Sequence, residues 1–183
     1  MATLDQTLRC IGQDLERFPT AIRDLKIEAF DNSYNVQVTV NIPVKRSVEK
    51  TVRRRTDRTK TGLDVDSKGT IATRSFQLRY NLKDIDYLER EGFAKRRSPR
   101  GTPDFLSLSH ILRMAGAQVE KRSGQLVGVW RSVQAEGTQS LVLRFKSRNG
   151  EERKEEYAGP TIYDLCVRWY KRRNGRTAKV ANL

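Results

Sequence analysis

The chain has 183 residues, 37% of them hydrophobic and 32% charged, and a net charge of +14 from 36 Lys and Arg against 22 Asp and Glu. This length suits one domain or two small lobes, and the composition favours a folded chain over a disordered one. The sequence has no amino-terminal signal segment and no run of 18 apolar residues, which predicts a cytoplasmic protein without a membrane span. Cys10 and Cys166 are too few for a zinc site and are expected to be free, buried thiols.

The first part of the chain has the periodicity of a helix followed by a hairpin. Apolar residues recur at intervals of three and four over 4–15, which predicts an amphipathic helix that Pro19 ends. Val and Ile then alternate strictly over 36–44, after the segment LKIEAF (25–30) and the turn sequence Asp31-Asn32-Ser33. This arrangement predicts a β-hairpin with one buried face.

A long connection interrupts the strand pattern. Residues 45–69 lose the alternation, whereas connections in compact domains typically have about four to six residues. A strand pattern resumes over 70–80, so we interpret the connection as the tip of an extended hairpin. Asn81 is then expected to cap a short helix that runs to about Arg90 and ends at Gly92.

The second part of the chain begins with helix signals and continues with strands. Thr102 is predicted to be the N-cap, and Pro103 the first residue, of a helix that closes at Gly116. Three turns that contain Gly then separate four predicted strands. These strands cover residues 117–122, 125–133, 140–147 and 151–157. Pro160 opens a final helix that ends at Asn174.

The element order predicts an α+β fold of two small antiparallel-sheet halves, each packed by helices. The first half reads α-β-β-loop-β-α and the second reads α-β-β-β-β-α. The predicted organisation is an N-terminal half (1–92) with a long basic loop (45–69), a basic linker (93–102), a C-terminal half (103–175) and a basic tail (176–183).

The excess positive charge is concentrated in three segments. Residues 44–60 contribute +6, residues 93–100 contribute +4 and residues 168–179 contribute +6, which leaves −2 on the remaining residues. Like charges at this density repel one another and favour a polyanionic partner.

Arginine outnumbers lysine in these segments, and its planar guanidinium binds phosphate through two hydrogen bonds and stacks on bases. The sequence therefore predicts a non-enzymatic protein that binds the phosphate backbone of DNA or RNA. The predicted binding residues are Lys45, Arg46, Lys50, Arg53, Arg54, Arg55, Arg58, Lys60, Arg96, Arg97, Arg100, Lys171, Arg172, Arg173 and Arg176.

The same charge clusters are compatible with other functions. A basic run can be a solvated loop without a partner, and an anionic membrane would also attract it, although the helices here need their apolar faces for the core. A structural or adaptor subunit of a larger assembly, such as a phage particle or a ribonucleoprotein, would order the basic loop against an acidic protein. An exposed edge strand could also pair with a second copy of the chain.

Aromatic and cationic side chains of the second half offer another type of contact. Trp130 and Trp169 could stack on unpaired bases, although an aromatic residue at helical spacing more often lies in a core. Arg131 and Arg144 could share one surface of the sheet. Cross-strand salt bridges with the acidic segment 151–156 explain that pattern equally well.

Candidate catalytic residues are few. His110 is the only histidine, and a lone histidine on a helix is more often structural than a general base. The pairs Asp64/Asp66 and Asp84/Asp86 could hold a divalent metal in a nuclease-like site, but each is also a common surface pattern. The sequence has no nucleotide-binding, hydrolase or metalloprotease motif. Neither an enzyme nor a cofactor is predicted, and a metal-dependent nuclease is the third alternative.

Overall fold

The computed structural model describes residues 3–43, 63–65, 71–91, 106–134 and 136–174. Within these ranges the helices are α1 (Leu4–Leu15), α2 (Leu82–Arg90), α3 (Leu108–Lys121) and α4 (Pro160–Asn174). The strands are β1 (Ile22–Phe30), β2 (Ser33–Pro43), β3 (Leu63–Val65), β4 (Ile71–Asn81), β5 (Gln125–Val133), β6 (Gln139–Lys146) and β7 (Glu152–Ala158).

All of these strands belong to one antiparallel sheet in the order β3-β4-β2-β1-β5-β6-β7, and with the four helices they confirm the predicted α+β class. The strands of the first and second halves meet where β1 pairs with β5, placing Lys26 opposite Trp130 and Ile27 opposite Val129. This pairing makes the two small predicted sheets continuous. It also leaves neither β1 nor β5 with an open edge.

A hydrophobic core lies between the helices and one face of this sheet. Alternate residues of the strands are buried there, as expected when a sheet covers a core with one face. Those of the central strands include Leu25, Ile27, Val36, Val38, Leu141 and Leu143. Buried side chains from each of the four described helices belong to the same cluster, among them Leu8, Ile85, Ile111 and Ile162.

The two helices predicted in the first half of the chain are confirmed, and each begins with a capping box. Thr3 and Gln6 form a capping box at the start of α1. At the start of α2, the side-chain oxygen of Asn81 accepts a hydrogen bond from the Asp84 backbone N–H at 3.0 Å, and the Asp84 carboxylate accepts one from the Asn81 backbone N–H at 2.8 Å. Asp84 therefore stabilises the helix terminus rather than a metal site.

Helix α3 differs from its predicted bounds at both ends. It begins after Ser107, whose hydroxyl accepts a hydrogen bond from the His110 backbone N–H at 3.3 Å. The predicted cap and first residue, 102 and 103, lie outside the described residues. The predicted strand over 117–122 is wrong, because α3 passes through Gly116 and ends at Lys121. Val119 keeps the helical spacing of the core residues and is fully buried.

Gly116 does not end α3 because it lies where α3 crosses α1 at very close range. A Cβ at Gly116 would lie 2.8 Å from the Asp5 Cα, and a Cβ at Gly12 would lie 2.6 Å from the Ser109 Cα. Both distances are too short for a side chain, so the two helices touch through glycine backbone at two points. Gly at these positions serves packing rather than helix termination.

Two hydrogen bonds tie the ends of α1 and α3 together. The Glu120 carboxylate accepts a hydrogen bond from the Leu4 backbone N–H at 2.6 Å. At the opposite end, the Glu16 carboxylate accepts one from the Ser109 backbone N–H at 2.8 Å. Each bond satisfies an N–H in the first turn of a helix, where no intrahelical partner exists. The two helices therefore run antiparallel and cap one another.

The remaining helix and turns follow the sequence pattern closely. Gly137 and Gly150 have φ values of 80° and 81°, as the predicted turns require. In α4, Ile162, Leu165 and Cys166 have the helical spacing of a core face and are buried, whereas the side chain at position 169 lies outside the described part of the chain.

Both cysteine thiols are expected to be unreactive in the native protein. Cys10 and Cys166 are free and fully buried, and burial raises their pKa to about 11 and about 12 respectively, so almost no thiolate exists at pH 8. Ellman's reagent should label neither thiol in native protein at pH 8 and should label both in guanidinium chloride. A Lys121→Cys variant at the exposed end of α3 provides a control that labels at once. Rapid native labelling of the wild type would contradict the burial of these thiols.

Candidate nucleic-acid interface

The predicted binding residues lie almost entirely outside the described part of the chain. This applies to every predicted cation in 45–60, to those in 96–100 and to the one at position 176. The backbone of 171–173 belongs to α4, but these side chains are also outside the described part. The described residues instead establish where the basic segments join the fold and what charge the fold itself has.

The longest basic segment is inserted between two neighbouring strands. β2 and β4 pair in register up to Pro43 and Ile71, and two antiparallel strands can be joined by about two to five residues. This chain instead has 27 residues between them, 44–70. Three of these residues form β3, which the sequence pattern did not predict and which adds to the edge of β4. Closing the hairpin therefore requires only a small part of the segment.

The part of the fold whose side chains are described has no excess charge, and the basic end of α4 (168–174) lies outside that part. Side chains are described for residues 3–42, 72–91, 106–134 and 136–167, and these include seventeen Lys and Arg and seventeen Asp and Glu. The formal charge of this part is therefore zero, and the whole +14 belongs to the other residues. Many of the carboxylates form ion pairs within the described part. Examples are Asp5–Arg113, Glu28–Lys26, Glu152–Arg144 and Glu155–Arg122.

The side of the sheet opposite the core is a polar surface, which we call the open face. It is formed by the strand residues that alternate with the buried ones, since the buried side chains of the described helices all lie on the core side. Amides and hydroxyls predominate near its centre. Those on the central strands are Asn35, Gln37, Thr39, Asn41, Ser132 and Ser140.

Trp130 is the aromatic residue at the centre of the open face. Its side chain is half-buried, with the Lys26 Nζ 6.0 Å and the Arg144 Cζ 5.2 Å from the centre of the ring. The distal ring atoms of the indole lie over Gly128, where a Cβ would be 3.5 Å from them. Both cations are within the range of a cation–π interaction. They hold the ring at a defined place on an otherwise hydrophilic surface.

Two shallow depressions lie beside Trp130 and Lys26. One, of about 320 Å³, is lined by Trp130 and by hydroxyl-bearing residues of β2, β5 and β6. The other, of about 270 Å³, is lined by Lys26 and by Gln37 and Gln77. They share Lys26 and Gln37. Both depressions also expose apolar atoms and a carboxylate, from Asp24 in the first and from Glu28 in the second.

Hydroxyl pairs connect the strands on the same surface. The Ser132 and Ser140 hydroxyls are 2.6 Å apart across β5 and β6. The Thr39 and Ser75 hydroxyls are 2.9 Å apart across β2 and β4. Each hydroxyl retains acceptor capacity after such a bond, so the pairs can also bind an external donor or a bridging water.

The predicted salt bridges across the second sheet half are confirmed for Arg144. Its guanidinium pairs with Glu152 of the neighbouring strand, with an Nε to Oε1 distance of 2.6 Å. Arg131 has a different role, because it lies on the core side and donates to Gln139 at 3.0 Å and to the Ile22 carbonyl at 3.4 Å. These two arginines therefore do not share one surface of the sheet.

The two aspartate pairs form no metal site in the described part of the chain. Asp86 lies exposed on α2. Asp64 lies in β3, and the second residue of its pair, at position 66, is outside the described part of the chain. Among the described residues, no group of three or more His, Cys, Asp and Glu side chains could hold a metal ion.

The location of Trp130 was not predictable from its own strand. The segment 125–133 is apolar at so many consecutive positions that its periodicity does not reveal which residues face the core. The pairing of β1 with β5 decides the orientation, since it brings Lys26 of the first half beside Trp130 of the second. A useful signal was Gly128, two residues before Trp130, because Gly in a strand often marks a close approach.

Comparison with known proteins finds little similarity. No protein-family model matches the chain, and no curated protein matches it. A crystal structure from Clostridium difficile 630, described as a "putative lipoprotein", aligns with 80% of this chain and 88% of its own at 12% identity, with a TM-score of 0.26. A TM-score this low supports no inference about fold or function. In the described part of the chain, no helix is both long and apolar enough to cross a membrane.

Proposed function

We propose that this protein binds nucleic acid in the cytoplasm, without catalysing a reaction, and that its basic segments contact the phosphate backbone. The segments are the 45–60 insertion, the cations of 95–100, and the end of α4 with the tail that follows it. Phosphate contacts of this kind give affinity through counterion release and need no base recognition.

The observation that carries this proposal is the segregation of charge. The residues whose side chains are described sum to zero charge and pair many of their carboxylates with their own cations, whereas the other residues, including the end of α4, account for all of the +14. A basic surface needed only for solubility would not require a neutral fold with concentrated cationic insertions. Because the β2–β4 hairpin can close without most of residues 44–70, this insertion is available for a partner.

The arginine content supports phosphate rather than a generic acidic partner. Arg53, Arg54 and Arg55 are consecutive, and Arg96-Arg97 and Arg172-Arg173 repeat the pattern. Guanidinium groups bind phosphate in a bidentate manner and are less strongly hydrated than ammonium groups. Free thiols at Cys10 and Cys166 fit a reducing compartment such as the cytoplasm.

Salt dependence tests the proposal directly. Fluorescence anisotropy with a labelled duplex and a labelled single strand should show binding that weakens steeply as salt increases. About eight phosphate contacts correspond to a slope of about −7 in a plot of log K against log salt concentration for duplex DNA. Absence of binding to both probes at low salt would contradict the proposal. Co-purification of an acidic protein without nucleic acid would instead favour the adaptor function.

A further inference from the structure

We infer that the outer edge of β7 pairs with the same edge of a second copy of the chain, in an antiparallel register centred on Glu155. β7 is the last strand of the sheet, and in the described part of the chain no strand pairs with its outer side. Two features of this edge support the pairing, namely its outward backbone groups and the order of its charges. The pairing needs no nucleic acid, so it is independent of the proposed function.

The backbone of β7 directs its polar groups alternately towards β6 and away from the sheet. The Gly159 N–H donates to the Gln139 carbonyl at 2.8 Å, and the Glu151 carbonyl accepts a hydrogen bond from the Ser147 N–H at 2.8 Å. The odd-numbered residues of β7 therefore direct their N–H and C=O groups towards β6, and the even-numbered residues direct theirs outward. An outward row of this kind is a template for a further strand.

Thr161 limits the length of the available edge. Its hydroxyl accepts a hydrogen bond from the Ala158 N–H at 2.8 Å and donates one to the Ala158 carbonyl at 2.9 Å. Both outward groups of Ala158 are thus satisfied at the start of α4. The other outward groups of the strand belong to Glu152, Lys154 and Glu156, whose side chains are exposed on the open face.

The charges of these three residues alternate in sign, and this alternation selects the register of a two-fold pair. A pair centred on Glu155 places Lys154 opposite Glu156 twice, and each of these positions also forms two backbone hydrogen bonds. A pair centred on Lys154 instead places Lys154 opposite itself and Glu152 opposite Glu156. Like charges directly opposite one another are destabilising, so the register centred on Glu155 is favoured.

The core side of β7 favours the same register. A pair centred on Glu155 places Arg153 opposite the Tyr157 ring, whereas a pair centred on Arg153 would place that arginine opposite itself and Glu151 opposite Glu155. Glu155 meets its own copy in the favoured register. Its charge is already compensated, because the Arg122 guanidinium lies 2.7 Å from its carboxylate and the Tyr157 hydroxyl donates to it at 2.5 Å.

The charged side chains of β7 do not exclude this pairing. Such residues protect an edge when pairing would bring like charges together, which the register centred on Glu155 avoids on the open face. Lys154 and Glu156 already form an ion pair within the strand. Both side chains are about 60% exposed, so exchanging that partner for one across the two-fold axis costs little. The main-chain hydrogen bonds supply the affinity, and an interface this small is typical of a weak, reversible dimer.

Charge exchange across the two-fold axis tests this inference. Sedimentation equilibrium should show a dimer that forms as the protein concentration is raised. Lys154→Glu and Glu156→Lys should each weaken association by roughly 10-fold, because each turns both attractive pairs into repulsive ones. The double variant Lys154→Glu/Glu156→Lys restores both pairs and should associate like the wild type, as should an equimolar mixture of the two single variants. Lys83→Glu, at an exposed position on α2, is the control for net charge and should not weaken association.

Amide hydrogen exchange locates the paired groups without a substitution. The Lys154 and Glu156 N–H groups should exchange more slowly at high than at low protein concentration. The Glu152 N–H should exchange rapidly at both, because the residue opposite it is Ala158, whose groups are bound to Thr161. A monomer at every concentration, or a dimer that both single variants leave unchanged, would overturn this inference. Slow exchange of Lys154 and Glu156 in the monomer would also overturn it, since another part of the chain would then cover this edge.

Discussion

Replacing Arg53, Arg54 and Arg55 together with glutamate is expected to weaken nucleic-acid binding by about 100-fold or more at 0.1 M salt. Three phosphate contacts would be lost and three repulsive charges would be introduced within one segment. The slope of log K against log salt concentration should become shallower by about 2.7 for duplex DNA, since each contact contributes about 0.9. Anisotropy titrations at several salt concentrations measure both quantities.

A control variant with the same net charge separates local contacts from overall charge. Lys83, Lys121 and Arg148 are exposed in the described fold, and changing all three to glutamate lowers the net charge by the same amount. This control should lose far less affinity, because charges beyond about 8–10 Å are screened at this salt concentration. Thermal unfolding of both variants should stay close to that of the wild type. Equal loss of binding in both variants would show that total charge, and not the 45–60 insertion, determines affinity.

Gly12→Ala and Gly116→Ala are each expected to destabilise the fold by at least about 2 kcal/mol, in the range found for overpacked cores. The new methyl group at position 12 would lie 2.6 Å from the Ser109 Cα, which is backbone and cannot rotate away. Separation of α1 from α3 would relieve the clash, but it would stretch the hydrogen bond between Glu16 and the Ser109 N–H. Urea unfolding monitored by circular dichroism gives the free energy of unfolding.

The sign of this effect is informative by itself. Alanine stabilises an unhindered helix by about 1 kcal/mol relative to glycine, so a helix crossing less tight than described would give more stable variants. Lys121→Ala, at an exposed position near the end of α3, is the matched control and should change stability by less than about 0.5 kcal/mol. Increased stability of Gly12→Ala would contradict the close contact between α1 and α3.

Several elements could be predicted because their signals are local. The alternation of Val and polar residues in β2 reports directly which face is buried, since a strand has a period of two. The cap at Asn81 and the turns at Gly137 and Gly150 depend on backbone conformations that few residue types favour. These requirements do not depend on distant parts of the chain.

The prediction failed where a distant contact determined the role of a residue. Gly116 has the sequence properties of a helix end, but its contact with Asp5 of α1 explains it. The strand predicted over 117–122 was wrong for the same reason, since α3 continues past this crossing to Lys121. Where two helix backbones are in contact, packing determines the position of Gly, and local helix propensity and helix-end signals no longer predict where the helix ends.

The sequence alone determined the α+β class, most of the elements and the concentration of positive charge in three segments, because composition and periodicity are properties of neighbouring residues. Only the tertiary structure decided that β1 pairs with β5 and that Trp130 lies between Lys26 and Arg144 on the open face. The β1–β5 pairing joins residues about 100 positions apart in the chain. Strand pairing between distant segments is set by the burial of a shared core, which no local pattern records.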